Sequence, residues 1–331
     1  MHELQFLILT VIVLALLFDF INGFHDTANA IATSVSTRAI KPAHAIIMAA
    51  VLNFLGAIYS TGVAKTIGGD IVASAEMVDE HIIIAALMGS IVWNLFTWYV
   101  AMPSSSSHAL VGGIIGAVLV STGSTGLNFI GIGKIVLSLI ASPLLAIFSG
   151  FIVMTVLFLL FGQFAPSALN GRFKKMQILS AAAMAFSHGS NDAQKSMGII
   201  TLALLSSGYL SSFEVPDYVK FLCAAAMACG TALGGWRIIR TIGGKIFKLE
   251  PISGFAADLN SSIVIFSATL LHLPVSTTHV VSGSIMGVGT AKRIRAVRWG
   301  VAQQMLVAWV LTIPCTAVMG ALAYQIVLWI F

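Results

Sequence analysis

Residues 20–30 read F-I-N-G-F-H-D-T-A-N-A, and residues 186–196 read F-S-H-G-S-N-D-A-Q-K-S. Each stretch sets a glycine, polar side chains and an aspartate inside strongly apolar sequence, so Gly23 corresponds to Gly189 and Asp26 to Asp192. A carboxylate at the centre of a membrane helix costs about 2.5–3.5 kcal/mol on insertion scales. That cost met twice, at matching places in two halves, points to function. Duplicated, glycine-interrupted polar segments are the sequence pattern of a transport site at a repeat interface.

The surrounding composition identifies lipid as the solvent. Hydrophobic residues make up 58% of the 331 and charged residues 9%, whereas a soluble domain carries about 25% charged residues. The fold expected is therefore an all-α integral membrane protein. Its length suits about ten spanning segments of about 20 residues each, with no room for a separate soluble domain. The net charge is +5, but the basic residues sit mostly in short loops, where they set orientation; no nucleic-acid partner is expected. The N-terminus, M-H-E-L-Q, lacks the basic start of a signal peptide and reads as the beginning of a retained span. Cys223, Cys229 and Cys315 fall in apolar stretches without metal-like spacing and read as buried free thiols.

Apolar segments run at about 4–37, 43–64, 82–101, 105–121 and 131–161, then at about 178–209, 218–236, 255–272, 275–290 and 299–331. Five and five suggest a duplication, and three further matches support it. Lys65-Thr66-Ile67-Gly68-Gly69 resembles Arg240-Thr241-Ile242-Gly243-Gly244, Ser90-Ile91-Val92 resembles Ser262-Ile263-Val264, and Pro103–His108 resembles Pro274–His279. With the opening motif, the offsets in chain order are 166, 175, 172 and 171, which is strong support for an internal repeat. The division expected is 1–165 as the first membrane repeat, 166–177 as a cytoplasmic linker and 178–331 as the second repeat.

An odd number of spans per repeat makes the second copy inverted. Placing Arg172, Lys174 and Lys175 in the cytoplasm by the positive-inside rule puts Arg38, Lys41, Arg237–Lys248 and Lys292–Arg298 on the same side. The acidic loops with Asp70, Glu76, Asp79 and Glu80, and with Glu214 and Asp217, then lie outside, as do both chain ends. The first segment of each half exceeds one span, with Gly23 and Gly189 in its middle, so each is expected to be a helix broken near the midplane. The Pro-Ser stretches after 102 and 273 open further helices, as full spans or as re-entrant hairpins.

Asp26 and Asn29 share a helix face, and Asn22 lies one turn before Asp26 if the helix runs through; such carboxylate and amide oxygens suit Na⁺ or a proton. The second copy offers His188, Ser190, Asn191, Asp192, Gln194 and Lys195. Ser104–Ser107 and Ser276–Thr278 each follow a proline and precede an apolar helix, which makes a hydroxyl-lined helix N-terminus suited to a tetrahedral oxyanion. Lys195 is the only cation in these motifs, and neutral donors permit release as well as binding. His25, His108, His188 and His279 read as proton relay, substrate contact or satisfied structural residues. Gly112-x-x-x-Gly116 and Gly283-x-x-x-Gly287 read as close helix packing.

At these residues the chain resembles the inorganic phosphate transporter (PiT) family. Asn22–Ala30 is similar to the bacterial form of its first signature, Ser187–Lys195 to the second, and Pro103–His108 and Pro274–His279 to its paired Ser/Thr stretches. The resemblance covers nearly the whole chain. It implies secondary transport of inorganic phosphate coupled to H⁺ or Na⁺, in an inverted-repeat fold in the cytoplasmic membrane. Bacterial members of this pattern take up phosphate with protons as a metal–phosphate complex, and a related branch carries sulfate. It implies Asp26, Asp192, Asn22, Asn29 and Asn191 as coupling-ion residues, and Ser105, Ser106, Ser107, Ser276, Thr277 and Thr278 as phosphate ligands. His25, His108, His188, Lys195 and His279 remain as relay or substrate contacts. No enzyme activity, no cofactor and no tightly bound metal are expected; the partners are phosphate and membrane lipid, with a homo-oligomer left open. The rivals from other classes are an intramembrane zinc enzyme built on the histidines and aspartates, and a passive anion channel.

Overall fold

A computed structural model of the chain describes residues 2–330, without the side chains of His2, Thr27, Ala28, Pro166, Ser167, Ala168, Trp236, Arg237 and Arg240. The expected roles of Thr27 in the first motif, and of Arg237 and Arg240 in a basic loop, lie outside the described residues. Among the described residues the chain is helical, with a single isolated β-bridge between Val72 and Leu127 and no strand.

The helices are α1 (His2–Ser36), α2 (Pro42–Ala57), α3 (Gly62–Gly69), α4 (Glu80–Tyr99), α5 (Ser106–Ser121), α6 (Phe129–Phe161), α7 (Pro166–Asp192), α8 (Gln194–Ser206), α9 (Asp217–Leu233), α10 (Trp236–Gly244), α11 (Pro251–Leu270), α12 (Thr277–Lys292) and α13 (Trp299–Ile330). Their starts are written locally. Asp79 caps α4 by accepting from the Ile82 N–H at 2.9 Å, and Asn128 caps α6 by accepting from the Gly131 N–H at 3.1 Å. A Glu250–Ser253 capping box with Pro251 at the first position opens α11. Residues 166–177, expected as a linker, are the first turns of α7.

The elements recur in order. Helices α2 and α9 have 16 and 17 residues, α4 and α11 have 20 each, α5 and α12 have 16 each, and α6 and α13 have 33 and 32. Packing recurs too: α5 lies on α13 as α12 lies on α6, and α1 lies on α9 as α7 lies on α2. Each half is thus covered by helices of the other.

Among the described residues four helices are long and apolar enough to cross a membrane: α1, α4, α6 and α13; the pair α2 and α3, bent by 72°, makes a fifth if counted as one span. Length and apolarity alone do not yield the expected ten, because α5, α8, α9 and α12 are short and α7 carries Arg172, Lys174 and Lys175. The outer faces of α6 and α13 expose Leu137, Leu144, Phe148, Val310, Val318 and Leu322, an apolar area of the kind a lipid phase covers. Cys229 is exposed rather than buried, whereas Cys223 is buried; apolar sequence does not separate protein core from lipid-facing surface.

The glycine breaks expected at 23 and 189 do not occur. Helix α1 runs unbroken through Gly23, and α7 runs through Gly189 to a one-residue interruption at Ala193. The two glycines instead let backbones touch. A Cβ on Gly23 would stand 2.3 Å from the Met227 carbonyl oxygen, and one on Gly189 would stand 2.1 Å from that of Asn53. Across the same crossings, Gly230 faces Phe20 and Gly56 faces Phe186. The GxxxG pairs act alike, Gly116 against Ala317 and Gly287 against Ile147. Gly230→Ala would place its methyl 1.9 Å from the Phe20 carbonyl oxygen. Overpacking of this kind costs about 1–3 kcal/mol or more, so the variant is expected to unfold at lower temperature in detergent. Gly69→Ala, where a Cβ meets nothing within 4 Å, is the control expected to match the parent.

Candidate functional site

The helical period puts Asp19, Asn22, Asp26, Asn29 and Thr33 on one side of α1, and all five are buried. The second half answers with His188 and Asp192 on the last turns of α7 and Lys195 at the start of α8, all buried. The N-termini of α5 and α12 close the site. Ser105 and Ser276 are their caps, accepting from the backbone N–H groups of His108 at 3.2 Å and His279 at 3.3 Å, which aims the following hydroxyls inward.

The two halves meet at the aspartates. Ser106 Oγ donates to Asp26 Oδ2 at 2.6 Å or to Asn22 Oδ1 at 2.8 Å. From the other half, Thr278 Oγ1 donates to Asp26 Oδ1 at 3.0 Å, and Asn29 Nδ2 reaches Thr278 Oγ1 at 2.8 Å. Thr277 Oγ1 donates to Asp192 Oδ2 at 3.3 Å, and Asn22 Nδ2 reaches the same oxygen at 3.4 Å. Lys195 Nζ lies 2.8 Å from Asp192 Oδ1 and His188 Nε2 lies 3.6 Å from Asp192 Oδ2. Ser107 Oγ ties the two helix ends together by donating to the Val275 carbonyl at 2.8 Å. Asp26, His188 and Asp192 each offer a ligand atom, and all three atoms lie within 4.8 Å of one another. Asn29 Oδ1 and His188 Nε2 are buried without a hydrogen-bond partner. The cluster therefore presents hard oxygens and an imidazole nitrogen to a cation, beside hydroxyl donors suited to an anion.

Of the other expected residues, His25 meets Asp26, whereas Asn191, His108 and His279 stand apart from the aspartates. Asn191 turns away from the aspartates: its Nδ2 donates to Thr269 Oγ1 at 3.0 Å and to the Leu273 carbonyl at 3.2 Å, while its Oδ1 accepts from the Val275 N–H at 3.2 Å. It pins the turn that leads into α12. Its repeat counterpart, His25, contacts Thr97 Oγ1 at 3.3 Å and also Asp26 Oδ1 at 2.9 Å. His108 and His279 meet each other, with ring centroids 4.5 Å apart, and His279 stacks on Trp309 at 3.9 Å. Both line an apolar cavity of about 710 Å³ together with residues of α6 and α13, and no hydrogen bond joins either ring to Asp26 or Asp192 among the described residues.

Two buried carboxylates escaped the motif reading. Asp19 accepts from Ser196 Oγ at 2.7 Å, and Asp258 accepts from Thr33 Oγ1. The signal was present in the chain: each is an aspartate inside an apolar segment, and Asp19 lies two turns before Asp26 on the same face. Neither has a repeat counterpart, so a search for duplicated residues passes over both.

A helical bundle with apolar outer faces, enclosing carboxylates, imidazoles and hydroxyls drawn from two matching halves, defines a membrane transporter rather than an enzyme. The comparisons name the kind. Residues 22–169 and 162–320 match the phosphate transporter family, and the chain belongs to that family. A probable low-affinity inorganic phosphate transporter of Bacillus subtilis (strain 168) is 51% identical over 333 residues, covering 100% of both chains. One from Rhizobium meliloti (strain 1021) is 46% identical, covering 96% of each. A solved structure described as the sodium-dependent phosphate transporter superposes with a TM-score of 0.90 at 26% identity, covering 98% of this chain and 100% of that one.

Proposed function

We propose that this protein takes up inorganic phosphate across the cytoplasmic membrane by symport with a monovalent cation, H⁺ or Na⁺, using alternating access. Its two repeats of five spans each are inverted, both chain ends lie outside, and the α4–α5 and α11–α12 pairs are hairpins that carry Ser106 and Thr277 to mid-membrane. Phosphate sits between those hairpin tips, alone or as a metal–phosphate complex, and the cation sits at Asp26 and Asp192.

One observation carries the coupling: Ser106, Thr277 and Thr278 direct their hydroxyls at the two carboxylates. A hydroxyl has one proton to donate, so it serves carboxylate or phosphate, not both. A cation on the carboxylates frees those donors. It also removes charge repulsion of about 3 kcal/mol per anion pair at about 5 Å and an effective dielectric of about 20. Phosphate binding therefore follows cation binding, and the neutralised site can change the side it faces.

The test is labelled phosphate uptake into proteoliposomes under separate H⁺ and Na⁺ gradients. Accumulation against a phosphate gradient, lost when the cation gradient is collapsed, is expected, with sulfate a poor competitor. Mere equilibration would make the protein a passive channel, and preferential sulfate accumulation would make it a sulfate carrier.

A further inference from the structure

We propose that Lys195 is a tethered cation that fills, beside Asp192, the place a mobile coupling cation takes beside Asp26, so that one fewer cation accompanies each phosphate. The inference rests on Asp26 and Asp192 being the coupling residues.

Of the positions at which the two motifs differ, among them Asn22/His188 and His25/Asn191, one exchanges a neutral amide for a lysine. Asn29 follows Asp26 by three residues, and Lys195 follows Asp192 by three; the first step lies within α1 and the second crosses the interruption at Ala193 between α7 and α8. In the first half the reach ends in a neutral amide, Asn29 Nδ2, 3.3 Å from Asp26 Oδ1. In the second it ends in an ammonium, 2.8 Å from Asp192 Oδ1, with both side chains 0% exposed. Asp26 is otherwise met by the hydroxyls of Ser106 and Thr278 and by the His25 ring. That ring meets Asp26 through Nδ1 and Thr97 Oγ1 through Nε2. Among the described residues no lysine or arginine pairs with Asp26, whereas Lys195 pairs with Asp192.

Asp192, the partner of Lys195, has Asp26 and His188 beside it, one ligand atom of each of the three lying within 4.8 Å of the others. Asp192 lies on α7 and Asp19 on α1, the latter held by Ser196 next to Lys195; His188 faces Asp192 from the preceding turn, and His108 of α5 lies within electrostatic reach. A buried carboxylate without a cation is strongly unfavourable. A half carrying Asn at this position would need a solute cation at its aspartate; a half carrying Lys supplies its own. The tethered charge stays with the protein through the cycle, so it is not transported and adds nothing to the charge moved.

The experiment compares the parent with Lys195→Asn, which copies the Asn29 environment, and with Lys195→Arg, which keeps the charge. Two quantities are read in each: the net charge moved per phosphate, from reversal potentials of proteoliposomes, and the number of cations bound, from the dependence of thermal unfolding on Na⁺ and H⁺ in detergent without phosphate. Lys195→Asn is expected to bind one more cation and to move one more positive charge per phosphate, and Lys195→Arg to match the parent. An unchanged cation number in folded Lys195→Asn overturns the proposal. A fall in phosphate affinity at unchanged cation number also overturns it, making Lys195 a substrate ligand. If Lys195→Asn does not fold, Lys195→Gln, closer in length, is read the same way. If the parent moves no phosphate while Lys195→Asn still gains a cation, the phosphate reading fails and the role of Lys195 stands.

Discussion

Asp26→Asn is expected to reduce gradient-driven phosphate accumulation to the level of empty liposomes while leaving a folded protein in the membrane. The amide keeps the carboxylate's shape and one acceptor oxygen, so Ser106 or Thr278 retains a partner. What it loses is the negative charge that attracts a cation, in a site where Ser106 stands 2.6 Å and Thr278 3.0 Å from the carboxylate. Replacing a buried ionised group by a neutral isostere also removes a desolvation cost, so thermal unfolding in detergent should stay close to that of the parent. Uptake and thermal unfolding measured on one preparation separate loss of coupling from loss of fold. Accumulation at the parental rate would remove Asp26 from the coupling step.

The convergence of Asp26, Asp192, Ser106, Thr277 and Thr278 is legible in the sequence because each is a polar residue stranded in apolar sequence and each has a duplicate. Lipid makes such residues costly, so they advertise themselves. Gly23 and Gly189 pack helices and do not break them, for a physical reason. In a membrane bundle a glycine serves either to interrupt a helix or to admit a neighbour's backbone, and the pattern of one chain segment does not say which. The carbonyls of Met227 and Asn53 that decide it belong to helices far away in sequence. Asn191 misled in the same way: it flanks Asp192, but the helical turn of about 100° per residue swings its side chain toward the Thr269–Val275 turn. Asp19 and Asp258 show the opposite limit. Their apolar surroundings mark them as buried, yet only the fold places Ser196 and Thr33 beside them.

The hydroxyl competition makes a second large prediction, for the double variant Ser106→Ala/Thr277→Ala. Each hydroxyl now faces a carboxylate, Ser106 at Asp26 and Thr277 at Asp192, and each is to be handed to phosphate when a cation arrives. A hydrogen bond to a charged group is worth about 1.5–3 kcal/mol. Losing two such donors should therefore weaken phosphate binding by about 3–6 kcal/mol, on the order of a hundredfold or more, while cation binding at Asp26 and Asp192 persists. Ser105→Ala and Ser276→Ala should behave differently. These residues cap α5 and α12 through the His108 and His279 N–H groups, and loss of such a cap costs typically about 1 kcal/mol of stability. Their expected effect is a lower unfolding temperature with a smaller change in phosphate affinity. Phosphate binding measured at saturating cation, alongside unfolding temperature, resolves the two pairs. If removing the caps weakened phosphate binding as much as removing Ser106 and Thr277, the anion would be held by the helix ends as a whole, and the exchange of hydroxyls between carboxylate and phosphate would not be what links the two fluxes.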